Sequence, residues 1–147
     1  MGRYDTSQDL TRLVTCHHEA GHAIAHQVGG GTVHHVRIVS DHEGYMRPAD
    51  EFDPDNPLPW LVMILAGSEA AARFLTRHGY SLGEGRRIQR GWCHDDRTMF
   101  RRYARGTGIA EGRARREAQR LVRRHWRQID RLATKLDRRG RLTGPRL

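Results

Sequence analysis

The run Cys16-His17-His18-Glu19-Ala20-Gly21-His22-Ala23 contains the spacing His18-Glu19-x-x-His22. On a helix, residues four apart lie one above the other, so His18 and His22 can present their imidazoles to one metal ion with Glu19 beside it. Zinc takes neutral imidazole nitrogens, and a catalytic zinc keeps one position open for water, whose pKa falls to about 7. Glu19 then has the place of a general base, removing the water's proton as it attacks a carbonyl. A chain with 10 His can also meet this spacing by chance, with the histidines as satisfied core residues, and the surroundings have to decide.

Those surroundings are helical. Leu10, Leu13, Val14, Gly21, Ile24, Ala25 and Val28 recur at three- and four-residue steps, the period of an amphipathic helix. Thr6-x-x-Asp9 has the form of a capping box and Gly29-Gly30-Gly31 supplies the stop, so residues 1–30 are expected to hold the metal-binding helix with the two histidines near its middle.

The remaining elements follow in order. Thr32 to Val39 is rich in β-branched residues and bounded by glycines and Ser40-Asp41, which predicts a strand. A return strand is expected at Gly44-Tyr45-Met46, giving a β segment over 31–48, and His34 and His35 read as strand-surface residues. Asp50 to Pro59, with three prolines, is expected to be a loop bordering a cleft. Pro59 suits a first helical turn and opens a second helix over 58–79, with Leu61, Ile64, Leu65, Ser68, Ala71, Ala72 and Leu75 as its buried stripe. Glu69 lies among these apolar residues, either behind the metal site or facing solvent. Gly79 to Gly91 reads as a loop. Residues 93–139 read as helices: one with Met99, Phe100, Tyr103 and Ala104 on one side, then a single long helix from about 109 to 139 with arginines opposite its apolar face.

A length of 147 residues is one domain's worth. No run of roughly 18 consecutive apolar residues marks a membrane span, and the first residues lack a secretory pattern, so the cytoplasm is the expected compartment. With only Cys16 and Cys93, a disulfide framework is not expected, although a zinc-bound thiolate from either is conceivable. The net charge of +9 is uneven: residues 97–147 carry 17 Arg or Lys against 4 Asp or Glu. Such a basic helix can follow nucleic-acid phosphates or an acidic partner, and it can equally be a solvated face.

Taken together, these segments resemble the peptidase domain of the FtsH family of zinc proteases and its mitochondrial relatives. His18-Glu19-Ala20-Gly21-His22-Ala23 matches the family signature at every position. Val33 to Val39 is similar to its following strand, Leu65-Ala66-Gly67-Ser68-Glu69-Ala70-Ala71 to its second-helix motif, and Ile129 to Ala133 with Gly140-Arg141-Leu142 to its C-terminal region. The resemblance implies an α+β, mainly helical, zincin-like metallopeptidase domain with a small antiparallel sheet beside the metal-binding helix. It also implies a third zinc ligand, an aspartate at the head of a later helix. Asp95 and Asp96 compete for that place. The spacing from Gly91 suits Asp95, but the apolar phase set by Phe100 and Ala104 favours Asp96. Two departures stand out: Ala71 and Ala72 occupy the region where the family usually carries a further glutamate, and Arg97 follows Asp96 where the family has an apolar residue.

The expected function is therefore a stand-alone zinc metalloendopeptidase acting on peptides or unfolded segments. Strand 33–39, with Val36 and Ile38, is expected to pair with the extended substrate. The chain carries no Gly-rich phosphate loop ending in Lys-Ser or Lys-Thr, so ATP and a membrane are not expected partners. Two other readings belong to different classes: a non-catalytic zinc module with Cys93 or His94 as a fourth ligand, and a regulatory protein whose arginine-rich helix docks on nucleic acid, with a steep salt dependence.

Overall fold

A computed structural model describes residues 7–92, 94–144 and 147, with the backbone alone described for residues 7–9, 90–92 and 94. The order of elements is α1 (Ser7–Val28), β1 (Val33–Ser40), β2 (Glu43–Pro48), α2 (Leu58–Thr76), α3 (Leu82–Trp92), α4 (His94–Ala104), α5 (Glu111–Arg124), α6 (Trp126–Arg139) and β3 (Arg141–Thr143). The fold is mainly helical with one small antiparallel sheet of order β2-β1-β3, an α+β arrangement.

The core forms where α1 lies against α2, the largest helix pairing in the molecule. Two small residues allow it. A methyl group built on Gly21 would stand 2.6 Å from the carbonyl oxygen of Ala66 and 2.6 Å from the Ala70 Cβ, so the helix backbones approach as closely as glycine and alanine permit. Ala20, Ala23, Leu61, Leu65 and Ala66 are buried along this contact. A fully buried leucine contributes about 1.5–3 kcal/mol, and α2 contributes three such side chains in Leu61, Leu65 and Leu75. By length and hydropathy α2 could cross a membrane, yet 72% of its apolar stretch is buried inside the fold, against α1, α3 and α5.

The turn from α1 into the sheet is clipped by one carboxylate. Asp50 accepts a hydrogen bond from His26 Nε2 at 2.9 Å and another from the amide of Thr32, while Gly30 takes the positive φ that ends the helix. The Thr6 capping residue lies outside the described residues.

Four expectations change. The stretch from Gly79 to Gly91 is not a loop, since α3 occupies most of it. Ser81 and Glu84 form a reciprocal capping box, with the Glu84 amide donating to Ser81 Oγ at 3.1 Å and the Ser81 amide donating to Glu84 Oε1 at 3.2 Å. Gly85 serves packing rather than flexibility, because a Cβ there would stand 3.0 Å from the Ala72 carbonyl of α2. The long basic helix is two helices, broken at His125 (φ −108°, ψ 22°), so that α5 packs on α2 and α6 on α1.

The sheet differs as well. Gly140, at φ 72°, turns the chain into β3, which pairs with β1 from His35 to Arg37. Strand β1 is therefore central, with β2 along its other edge, and its Val36 and Ile38 side chains are buried among core residues. They are not available for strand addition by a substrate. His35 is only 8% exposed, beside Tyr45 and hydrogen-bonded through Nδ1 to Nδ1 of His34 at 2.7 Å, rather than on the strand surface.

The close approach of α1 and α2 makes a direct test. Gly21→Ala is expected to cost about 1–3 kcal/mol by overpacking against backbone. Gly112→Ala, where the nearest atom is the Arg116 guanidinium at 3.5 Å, should instead gain up to about 1 kcal/mol from helix propensity. Thermal unfolding of both variants reads the opposite signs.

Candidate metal centre

Helix α1 presents His18, Glu19 and His22 on the side that meets the start of α4. There Asp96 Oδ2 lies 2.8 Å from His18 Nε2 and 3.2 Å from His22 Nε2, and the two Nε2 atoms are 3.1 Å apart. Among the described residues these three are the group of His, Cys, Asp and Glu side chains whose ligand atoms converge. A tetrahedral zinc site with bonds of about 2.0–2.2 Å has ligand atoms about 3.3–3.6 Å apart, so the triangle is within about half an ångström of one face of such a site.

The outer contacts set the rings in the orientation a metal needs. His22 Nδ1 is 2.8 Å from the carbonyl oxygen of Met63 on α2. That oxygen can only accept, so Nδ1 carries the hydrogen and the neutral ring keeps its lone pair on Nε2. His18 Nδ1 is 3.0 Å from Gln89 Oε1 on α3, and donation to that oxygen leaves its Nε2 lone pair facing the same point. Metal-ligating histidines characteristically donate their second nitrogen in this way. Room for the His22 ring comes from Gly67, where a Cβ would stand 2.4 Å from Nε2.

The charges agree with a cation at this point. Burial disfavours charge on Asp96, yet the proximity of His22 and the hydrogen bonds from both rings hold its carboxyl well below the ordinary range. Burial likewise opposes charge on His22, and Asp96 overcomes it, so that this imidazole is raised. Ring protons bond Asp96 here, and two imidazoles with one carboxylate are also a donor set that binds first-row divalent metals.

Glu19 stands beside the trio without joining it. It is 6% exposed, and its Oε2 is buried with no hydrogen-bond partner among the described residues. Burial pushes its carboxyl above the ordinary range, against the pull of His22 and His18. A cavity of about 310 Å³ opens over Glu19 and the histidines, walled on one side by Glu43 to Met46 of β2 and on the other by Asp95 and Asp96. Gly44 leaves space for the Glu19 side chain, since a Cβ there would come 3.0 Å from Glu19 Cγ.

The structure thus brings together His18, Glu19, His22 and Asp96, and it places Asp95 exposed on the cavity rim. Cys16 does not reach the site: it is fully buried in the hydrophobic core, and burial pushes its thiol up to about 12, unsuited to a metal-bound thiolate. Cys93 lies outside the described residues, as does the side chain of His94. Glu69 is neither solvent-facing nor a contact of the metal ligands. It is 4% exposed and bonded to Arg115 Nη1 at 3.0 Å. Gln89 escaped sequence reasoning because its segment read as a loop, and the Ser81-x-x-Glu84 capping box was the signal that a helix would carry it inward. The β2 wall had no sequence signal beyond its place after β1.

Neither the models of known protein families nor the curated proteins offer a match to this chain, so the reading of the centre rests on its residues and geometry.

Metal titration tests the register and the support. Asp96→Asn should weaken zinc binding far more than Asp95→Asn. Gln89→Ala and Gly67→Ala should each weaken it by about 10–100-fold, the usual effect of disturbing contacts behind a metal ligand.

Proposed function

We propose that this chain is a zinc-dependent metalloendopeptidase, an FtsH-like peptidase domain of zincin-like architecture that hydrolyses peptides or unfolded segments. The observation that carries the reading is Glu19: a buried carboxylate oxygen without a partner, next to three converging metal-ligand atoms. The same donor trio also serves iron in oxygenases; a buried carboxylate beside it suits the general base of a hydrolysis.

His18, His22 and Asp96 would hold the zinc, which would supply Lewis acidity, lowering the pKa of a bound water to about 7 and polarising a carbonyl. The chain's own residues do the rest. Burial makes Glu19 a stronger base than an exposed carboxylate, so it takes the proton from attacking water and passes it to the leaving amine. His18 and His22 stay oriented through Gln89 and Met63, which keeps the ligand atoms in place during the reaction. None of these steps draws on a nucleotide.

Substrate alignment falls to β2 rather than β1. Strand β2 pairs with β1 along one edge only, and its outer edge has no strand partner among the described residues. Its Glu43 to Met46 segment borders the Glu19 cavity. An extended peptide adding to this edge gains main-chain hydrogen bonds with little sequence selectivity.

Glu19→Gln should lower hydrolysis of an unfolded protein such as casein by about 10²–10⁴-fold while zinc stoichiometry stays at one per chain. A chelator should abolish the parent activity and added zinc restore it. Cleavage by the Glu19→Gln variant at the parent rate would remove the assigned base.

A further inference from the structure

Away from the metal centre, a cavity of about 300 Å³ opens between α2, α3 and α5 and shares no lining residue with the metal cavity. Arg73, Arg86 and Arg123 line it, together with Gln119 and a single carboxylate, Glu69. That carboxylate is already engaged. Its Oε1 holds Arg115 Nη1 at 3.0 Å, and its Oε2 lies 3.6 Å from Arg86 Nη2. Arg73 and Arg123 have no carboxylate partner among the described residues.

Positive charge is crowded here with nothing to answer it. Arg73 lies in the last turn of α2 with Arg77 at its cap, and burial, followed by the charges of Arg77 and Arg123, holds the Arg73 guanidinium below its ordinary range. The carbonyl end of a helix favours cations, yet Arg73 Nε is buried with no hydrogen-bond partner among the described residues, and so is Arg86 Nε. Buried donors left in this way are costly. Arg73 also lies over the ring of Trp126, its guanidinium carbon 5.3 Å from the centroid, a contact that holds the plane of the fork and leaves its N–H edge free to donate.

Arginine forks recognise phosphate oxygens by paired, charge-assisted hydrogen bonds. We propose that this cavity is an oxyanion site that takes a phosphate group, with Arg73 and Arg123 supplying the charge. Two guanidiniums without partners match a dianion better than a single carboxylate, and polar side chains arriving from three helices suit a tetrahedral ligand better than a planar one. The site stands independently of the peptidase reading, since it contains none of the metal-centre residues.

The test titrates inorganic phosphate into the full chain by isothermal calorimetry, with and without zinc. One saturable site is expected in both conditions. Arg73→Gln and Arg123→Gln should each weaken it at least about tenfold. Arg139→Gln, at an exposed arginine of α6 outside the cavity, should leave it within about twofold, as expected of a surface charge. Because Arg123 is exposed, its replacement reads the site even where Arg73→Gln fails to fold. Acetate, the carboxylate control, should bind at least about tenfold more weakly than phosphate.

Absence of saturable binding overturns the site, and equal losses from all three arginine variants do so as well, by showing a diffuse basic surface only. Binding that requires zinc and survives Arg123→Gln assigns the phosphate to the metal and overturns the cavity site. Acetate binding as tightly as phosphate overturns the choice of ligand. Adenosine monophosphate and a short single-stranded DNA separate the sources of the group: the probe whose gain over free phosphate is lost in Arg123→Gln names the source and supports the site. Each overturning result leaves casein hydrolysis and zinc content as separate measures of the peptidase reading.

Discussion

The closeness of α1 to α2 governs the rest of the molecule. Gly21 admits the backbone of α2 at Ala66, and the next residue of α1 brings the His22 ring over Gly67. The same approach puts the Met63 carbonyl within hydrogen-bonding distance of His22 Nδ1. A larger residue at Gly21 or Gly67 would act on the core and on the His22 ring together. Protein interiors are packed too densely for such a shift to stay local. In this fold the helix contact and the ligand geometry are one constraint seen from two sides.

Electrostatics within the centre follow from that packing. Bringing His22, Glu19 and Asp96 out of water raises the cost of every charge they carry. Asp96 and the histidines offset it by converging. Glu19 has no such relief, because its Oε2 finds no partner among the described residues. Burial pushes its carboxyl above the ordinary range, and perturbed acids cluster at functional sites.

Around this centre the later helices act as props. The break at His125 lets α5 cover α2 while α6 covers α1, with Ala114, Ala118 and Val122 buried on the first and Ile129, Leu132, Ala133 and Leu136 on the second. Most arginines of α5 and α6 face outward, but Arg115 turns in to hold the buried Glu69. A buried carboxylate without its cation is costly by several kcal/mol, so α5 is tied to α2 by charge as well as by packing. Strand β3 then returns to complete the sheet that backs β2 against the metal cavity.

Spacing and periodicity determined α1, its pair of histidines with Glu19 between them, the helical nature of most of the chain and the presence of β1, because these depend on residues three, four or two apart along one element. The choice of Asp96 over Asp95 was also legible, since the apolar phase of α4 decides which acid turns inward. What required the tertiary structure involves partners distant in the chain. The Gln89 contact spans 71 residues, and the glycine-rich α3 that delivers it reads locally as a loop although Gly85 serves a close helix contact. The apolar phase of residues 114–136 runs without interruption through His125, so nothing local marks the break. The central place of β1, which closes it to substrate, depends on a three-residue strand arriving from the far end of the chain, and short-range patterns carry no record of which segments will meet.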